Sequence, residues 1–145
     1  MTRSHAFPAP RLRRVVHLLA FDATGHLLLR RSGHAEWAYP SLHVQLGETY
    51  EDAARRLLRT TRTEFVKPGE VSGRHWATPT GPARYERRFQ IVHVRRATSE
   101  ADPHQKWVLP SCVPLTGRWS DELRRLAEGY RGGWLPEGPI RLDWD

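Results

Sequence analysis

The stretch Trp37-Ala38-Tyr39-Pro40-Ser41-Leu42-His43-Val44-Gln45-Leu46-Gly47-Glu48-Thr49-Tyr50-Glu51-Asp52-Ala53-Ala54-Arg55-Arg56-Leu57-Leu58-Arg59-Thr60-Thr61-Arg62-Thr63-Glu64 decides how this chain folds. Gly47 supplies a turn. Thr49 is placed to cap a helix, with an acid three residues on for a capping-box-like contact, and the helix is expected to run to about Thr63. On a helical wheel Ala53, Ala54, Leu57, Leu58 and Thr61 form one contiguous apolar stripe. Arg55, Arg59 and Arg62 fall on the opposite, solvated side.

Working outward, Val15 to Phe21 is an apolar run of strand length. Asp22-Ala23-Thr24-Gly25 has turn chemistry, and His26 to Arg31 resumes as a second strand, so a hairpin is expected. Leu42 to Val44 suits a short strand before the Gly47 turn. Beyond the helix, Pro68 and Gly69 close the region, and Val71–Thr78 and Arg84–Arg96 read as strands around the turn Pro79-Thr80-Gly81-Pro82. In the second of them Tyr85, Phe89, Ile91 and His93 share one face, with Val92 and Val94 on the other. Ser120-Asp121-Glu122-Leu123 opens a second helix with Leu123, Leu126, Ala127 and Tyr130 at helical spacing. Residues 1–10 read as a loose polar arm, 11–131 as one domain, and 132–145, with two Trp, as an irregular strap. Hairpin, glycine turn, helix, strands and a late helix predict an α+β protein, an α/β/α sandwich with a mixed sheet.

The chain has 145 residues, enough for one core. No apolar run approaches membrane-spanning length, and no signal peptide is expected at Met1–Pro10. Cys112 is alone, which excludes an internal disulfide and a multi-cysteine metal site, and a reducing cytoplasm is the expected home. The net charge of +7 comes almost wholly from Arg, since Lys67 and Lys106 are the only lysines. Guanidinium groups favour phosphates and carboxylates, but coding bias alone also enriches Arg. The charge is scattered rather than blocked, which argues against nucleic acid as partner.

The quoted stretch resembles the Nudix box, whose pattern is Gly, five residues, Glu, seven residues, Arg-Glu-apolar, any, Glu-Glu, any, Gly-apolar. Without gaps, Glu48, Arg56 and Leu58 match, while Leu42, Leu57, Thr60-Thr61 and Thr63 replace the first Gly, the next Glu, the Glu pair and the last Gly. The resemblance covers roughly Arg13 to Leu126 and implies the Nudix fold. It also implies a box helix that presents carboxylates to Mg²⁺ or Mn²⁺, which activates a water against a diphosphate. Acids at positions 57 and 61, one helical turn apart, would face one cation. Leu57 offers Mg²⁺ no ligand, and the hydroxyls of Thr60 and Thr61 are weak substitutes. The resemblance assigns Glu48 and Arg56 chiefly to tying the glycine turn to the helix, with Leu58 as a structural box residue. In the functional alternative Glu48 still provides one carboxylate at the cleft, the metal ligand if there is one, and Mg²⁺ or Mn²⁺ is expected only if hydrolysis survives.

Other residues are candidates for the cleft. His43 and Glu48 could work as acid and base without a metal. Arg30 or Arg31 could hold a phosphate. Trp37 and Tyr39 either stack on a flat group or fill the core. Ser41, Leu57, Thr60 and Thr61 would line the cleft, made more apolar by Leu42 and Leu57. Glu86 could replace a missing acid or pair with Arg84 or Arg88. The His43–Glu48 run is also similar to isopentenyl-diphosphate isomerase, although Ser41 stands where that family has Cys.

The expected function is therefore a divergent Nudix-fold protein with lost or impaired hydrolysis that binds a small, partly apolar, anionic or carbonyl-bearing ligand. One alternative is a hydrolase with a relocated metal site, using Glu48 with Glu51, Asp52, Glu64 or Glu86. The other is a nucleic-acid or protein-binding module on the basic surface. A homodimer is compatible with either, and the Trp-bearing tail could serve it.

Overall fold

The computed structural model describes residues 11–31, 33, 36–77, 83–96, 102–113, 120–136 and 138–141, and the arm at 1–10 lies outside them. Seven strands form one mixed sheet: β1 (Arg11–Phe21), β2 (Leu27–Arg30), β3 (Ser41–His43), β4 (Thr63–Ala77), β5 (Ala83–Arg96), β6 (Gln105–Val108) and β7 (Gly138–Arg141). Their order is β6-β2-β1-β5-β4-β7, with β3 paired to β1 on the same side as β2. The pairs β1–β5 and β4–β7 are parallel, and the others are antiparallel.

Helix α1 (Tyr50–Thr60) covers one face of the sheet and α2 (Ser120–Gly132) the other. The central strand β1 is apolar on both sides because both sides are covered. Val16, Leu18 and Ala20 pack with Ala53, Ala54, Leu57 and Leu58 of α1. Leu19 and Phe21 pack with Leu123, Leu126 and Ala127 of α2. The alternation of β5 holds as expected, with Phe89 and Ile91 toward α2 and Val92 and Val94 toward α1. Three layers result: helix, sheet, helix.

The Asp22–Gly25 hairpin turn forms. Asp22 Oδ1 accepts from the Thr24 amide and hydroxyl and from the His26 amide, while Gly25 takes the left-handed conformation at φ 81°. Helix α1 begins as predicted, with the Thr49 hydroxyl accepting from the Asp52 amide at 3.0 Å. It ends earlier than predicted. The Thr60 and Thr61 hydroxyls donate to the Leu57 and Leu58 carbonyls, and Arg62 turns left-handed at φ 53°. Such local hydroxyl bonds compete with helix continuation, and a left-handed residue terminates it.

Pro68 and Gly69 do not interrupt the next strand. β4 starts at Thr63 and passes through them, with register shifts between Phe65 and Lys67 and between Pro68 and Ser72 absorbing the irregularity. Glycine is required at 69 because a Cβ there would lie 2.7 Å from Ile91 Cγ2. Two strands escaped the sequence reading. The run Gln105–Val108 forms β6 against β2, and the supposedly irregular tail contributes β7, parallel to β4 at Val71–Arg74.

Candidate functional site

Gly47, left-handed at φ 79°, turns the chain from β3 into α1. Glu48 then folds back: its Oε1 accepts from the Gln45 amide at 3.0 Å and from Arg56 Nη2 at 3.0 Å, and its Oε2 accepts from Arg56 Nε at 3.0 Å. Arg56 Nη2 also donates to the His43 carbonyl at 2.9 Å. One guanidinium thus ties the end of β3, the turn and the helix together, in the bidentate geometry that suits Arg and not Lys. The bond from Arg56, then that from the Gln45 amide, holds the Glu48 carboxyl below the usual carboxylate range, and the same partner raises Arg56. His43 contributes its carbonyl to this knot and leaves its ring exposed.

The residues at positions 57, 60 and 61 are engaged in the core or with the backbone of α1. Leu57 is 3% exposed and packed into the core with Val16, Leu18 and Leu28. Thr61 is 1% exposed, donates to the Leu58 carbonyl at 2.8 Å and shares a 2.7 Å bond with the Thr63 hydroxyl. Thr60 is exposed, but its proton goes to the Leu57 carbonyl at 2.7 Å. Leu58 is core, as a structural box residue should be. Leu42 lies half-buried against the same cluster. Among the described residues no three of His, Cys, Asp and Glu come together as metal ligands.

The C-terminal end of α1 meets the end of β2. Arg30 Nη1 donates to Thr60 Oγ1 at 3.3 Å, and Gln105 Nε2 donates to the Thr61 carbonyl at 3.1 Å. On the other face of the sheet the Arg31 guanidinium and the Lys106 ammonium lie 4.5 and 4.6 Å from the Trp37 ring centre, a distance at which cations are attracted to the π face. Arg31 Nε is buried without a hydrogen-bond partner among the described residues. Arg30 and Thr60 thus share the α1 face of the sheet, while Arg31 and Trp37 lie on the opposite, α2 face. Gln105 extends the first group and Lys106 the second. Sequence reasoning missed these two because four residues beyond a turn-rich stretch gave too short a strand signal; the apolar Trp107 and Val108 that follow were the available cue.

The remaining candidates lie apart. Tyr39 is buried in the core beneath α2, its hydroxyl without a hydrogen-bond partner and its ionisation pushed up by that burial. Ser41 is exposed on β3 opposite His17. Glu86 is buried on β5, its carbonyl accepting from the Tyr50 hydroxyl at 3.4 Å and its carboxylate 3.6 Å from Arg88 and 3.9 Å from Arg74. Arg88 is one of the two partners expected for it; the side chain of Arg84, the other, lies outside the described residues. Tyr50 begins α1 and Thr60 ends it, so Glu86 and the Arg30 surface sit at opposite ends of a helix about 16 Å long.

No family model matches the sequence, and no curated protein matches it either. Solved structures do resemble the fold. The Ap4A hydrolase of C. elegans superposes with a TM-score of 0.61 at 12% identity, covering 86% of this chain and 100% of the other. A Nudix hydrolase from Nitrosomonas europaea gives 0.61 at 16% identity over 94% and 80%. The MutT protein from Bacillus halodurans gives 0.57 at 13% identity over 89% and 86%. At these identities the likeness speaks for architecture alone: the chain has the Nudix hydrolase fold.

Proposed function

We propose that this is a divergent Nudix-fold protein whose metal-dependent pyrophosphohydrolysis is lost or strongly impaired, and whose cleft binds a small, partly apolar ligand carrying an anionic or carbonyl group. One observation carries the reading: positions 57, 60 and 61 hold a core leucine and two threonines whose hydroxyl protons are spent on helix carbonyls. Mg²⁺ and Mn²⁺ need charged or strongly polar oxygens, usually one or two carboxylates plus substrate phosphates. The donor set at the box does not fit such an ion. Glu48, the carboxylate that remains, already accepts three hydrogen bonds and is held ionised by Arg56. That makes it a brace and a weak base, and leaves the exposed His43 ring as the group for any metal-free proton transfer.

The ligand surface in this reading is Arg30 with the Thr60 hydroxyl and Gln105 at the end of the box helix, and Arg31 and Lys106 over Trp37 form a separate basic patch on the other face. Arg30 is the group suited to gripping the anionic or carbonyl end. The test is mass-spectrometric detection of products from mixed nucleotide, sugar and prenyl diphosphates, with Mg²⁺ or Mn²⁺ and with EDTA, alongside a binding screen of carboxylate and carbonyl compounds. The expected result is no EDTA-sensitive product, and binding weakened by Arg30→Ala. EDTA-sensitive cleavage abolished by Glu48→Gln would instead establish the relocated-metal hydrolase. Binding that falls steeply with salt and ignores Arg30→Ala would point to a basic interaction module.

A further inference from the structure

Two adjoining cavities, of about 600 and 500 Å³, open where the parallel strands β1 and β5 end, and they share Phe21, Asp22, Ala23 and His93. Their size is that of small-molecule sites. The chemistry of the walls is uneven. Four cations line them (Lys67, Arg95, Arg96 and Arg131) against two carboxylates, Asp22 and Glu70.

Both carboxylates are already committed. Asp22 Oδ1 accepts three bonds from Thr24 and His26, and its Oδ2 accepts two from Arg96, at 3.0 and 2.7 Å. Glu70 Oε2 accepts from the Tyr130 hydroxyl at 3.0 Å. Because Tyr130 gives its only proton to Glu70, its oxygen must accept from His93 Nε2, which fixes the histidine ring and its tautomer at the junction of the two cavities.

The cations divide the other way. Arg96 is engaged by Asp22 and lies over Trp107, and Arg95 pairs with Glu64. Lys67, on the larger cavity, and Arg131, on the smaller, make no ion pair among the described residues. Arg131 is nevertheless placed: it crosses the Gly25 turn so closely that a Cβ there would lie 2.6 Å from its Nε. Val66, an apolar side chain left 50% exposed, sits beside Lys67 in the same wall, and Leu135 lines the smaller cavity. Lys67 acts at longer range on Glu70 and His93, but positive charge without a close ion-pair partner among the described residues, beside uncovered apolar surface, is the complement of an amphiphilic anion.

We propose that these cavities form a binding site, separate from the surface at the end of the box helix, for a small organic anion. Lys67 from the larger cavity and Arg131 from the smaller supply the positive charge that draws its phosphate-monoester or carboxylate head, and Phe21, Val66 and Leu135 receive its apolar body. The site does not depend on whether the box-helix surface binds anything.

The experiment is titration of the full, isotope-labelled chain with phenyl phosphate, benzoate and inorganic phosphate, followed by amide chemical shifts. Phenyl phosphate or benzoate should move amides near Val66, His93 and Tyr130, and bind on the order of tenfold more tightly than inorganic phosphate. Which of the two prevails identifies the head group. Lys67→Ala with Arg131→Ala should weaken that binding on the order of tenfold, while Arg30→Ala changes it by less than about twofold. Both substituted side chains are on the surface, and the wild-type shift map stands without them. The proposal fails if shifts gather instead at Arg30, Trp37 and Thr60, if the double variant binds as wild type does, or if millimolar anion moves nothing.

Discussion

Restoring an acid at position 57 separates a core residue from a cleft residue. Leu57 is 3% exposed and lies among Val16, Leu18, Leu28, Val92 and Val94. Leu57→Glu forfeits the burial of a leucine side chain, about 2–3 kcal/mol. It also places a carboxyl among apolar neighbours; even protonated, that group lacks a partner, at about 1–3 kcal/mol. The expected loss is about 3–6 kcal/mol, a large part of the roughly 5–15 kcal/mol that holds a domain together. Burial raises the pKa of the new acid in the folded state, so its unfolded form ionises first. The loss is then smallest below about pH 4 and deepens as pH rises. Urea unfolding at pH 5 and pH 8 reads both effects. Thr60→Glu, at an exposed position, is the control and should cost about 1 kcal/mol or less. A Leu57→Glu loss under about 1 kcal/mol with no pH dependence would refute the reasoning, because it would mean that position 57 opens to solvent.

Other expectations follow from single contacts. His17, buried and stacked on Phe89 at 4.6 Å, has its pKa lowered to about 3 by burial, then by Arg87 and His43. Its neutral form is the folded one, so its contribution is complete above the unfolded pKa of about 6.5 and is lost as pH falls toward 3. That amounts to about 2 kcal/mol by pH 5, and His17→Phe should flatten the stability profile by this amount between pH 7 and pH 5. Glu48→Gln removes one arm of the Arg56 knot, and hydrogen exchange at the Gln45 amide should quicken while that at Leu57 is unchanged. Gly69→Ala drives a methyl into Ile91 and should cost about 1–3 kcal/mol by thermal or urea unfolding; a neutral result would show that β4 relaxes freely there.

The parts of the fold legible in the sequence were those with long, consistent local signals. Thr49, the Ala53–Leu58 stripe and the Asp22–Gly25 turn each encode one structure, and each forms it. The end of α1 was overestimated because helical periodicity continues through Thr61, whereas three threonine hydroxyls bond locally and stop it. β6 and β7 are four residues each and exist through their pairing with distant strands, which no local pattern announces.

The candidate site was legible in the same uneven way. The Glu48–Arg56 brace followed from the box pattern, and Arg30 does reach Thr60. The split of His43, Glu48 and Glu86 from the Arg30 surface did not, because it depends on which end of α1 each strand terminus meets. Leu57 on the apolar stripe already implied a buried side chain, so the wheel described its surroundings better than the box alignment did.

In the proposed reading the box does not assemble a divalent-metal site. Titration of the labelled full chain with Mn²⁺ tests it most directly, because the ion broadens amide resonances close to it. The expected result is no selective broadening at Glu48, Leu57, Thr60 or Thr61 at any Mn²⁺ concentration below that which broadens the surface generally. Saturable broadening centred on those residues, reversed by EDTA, would contradict it.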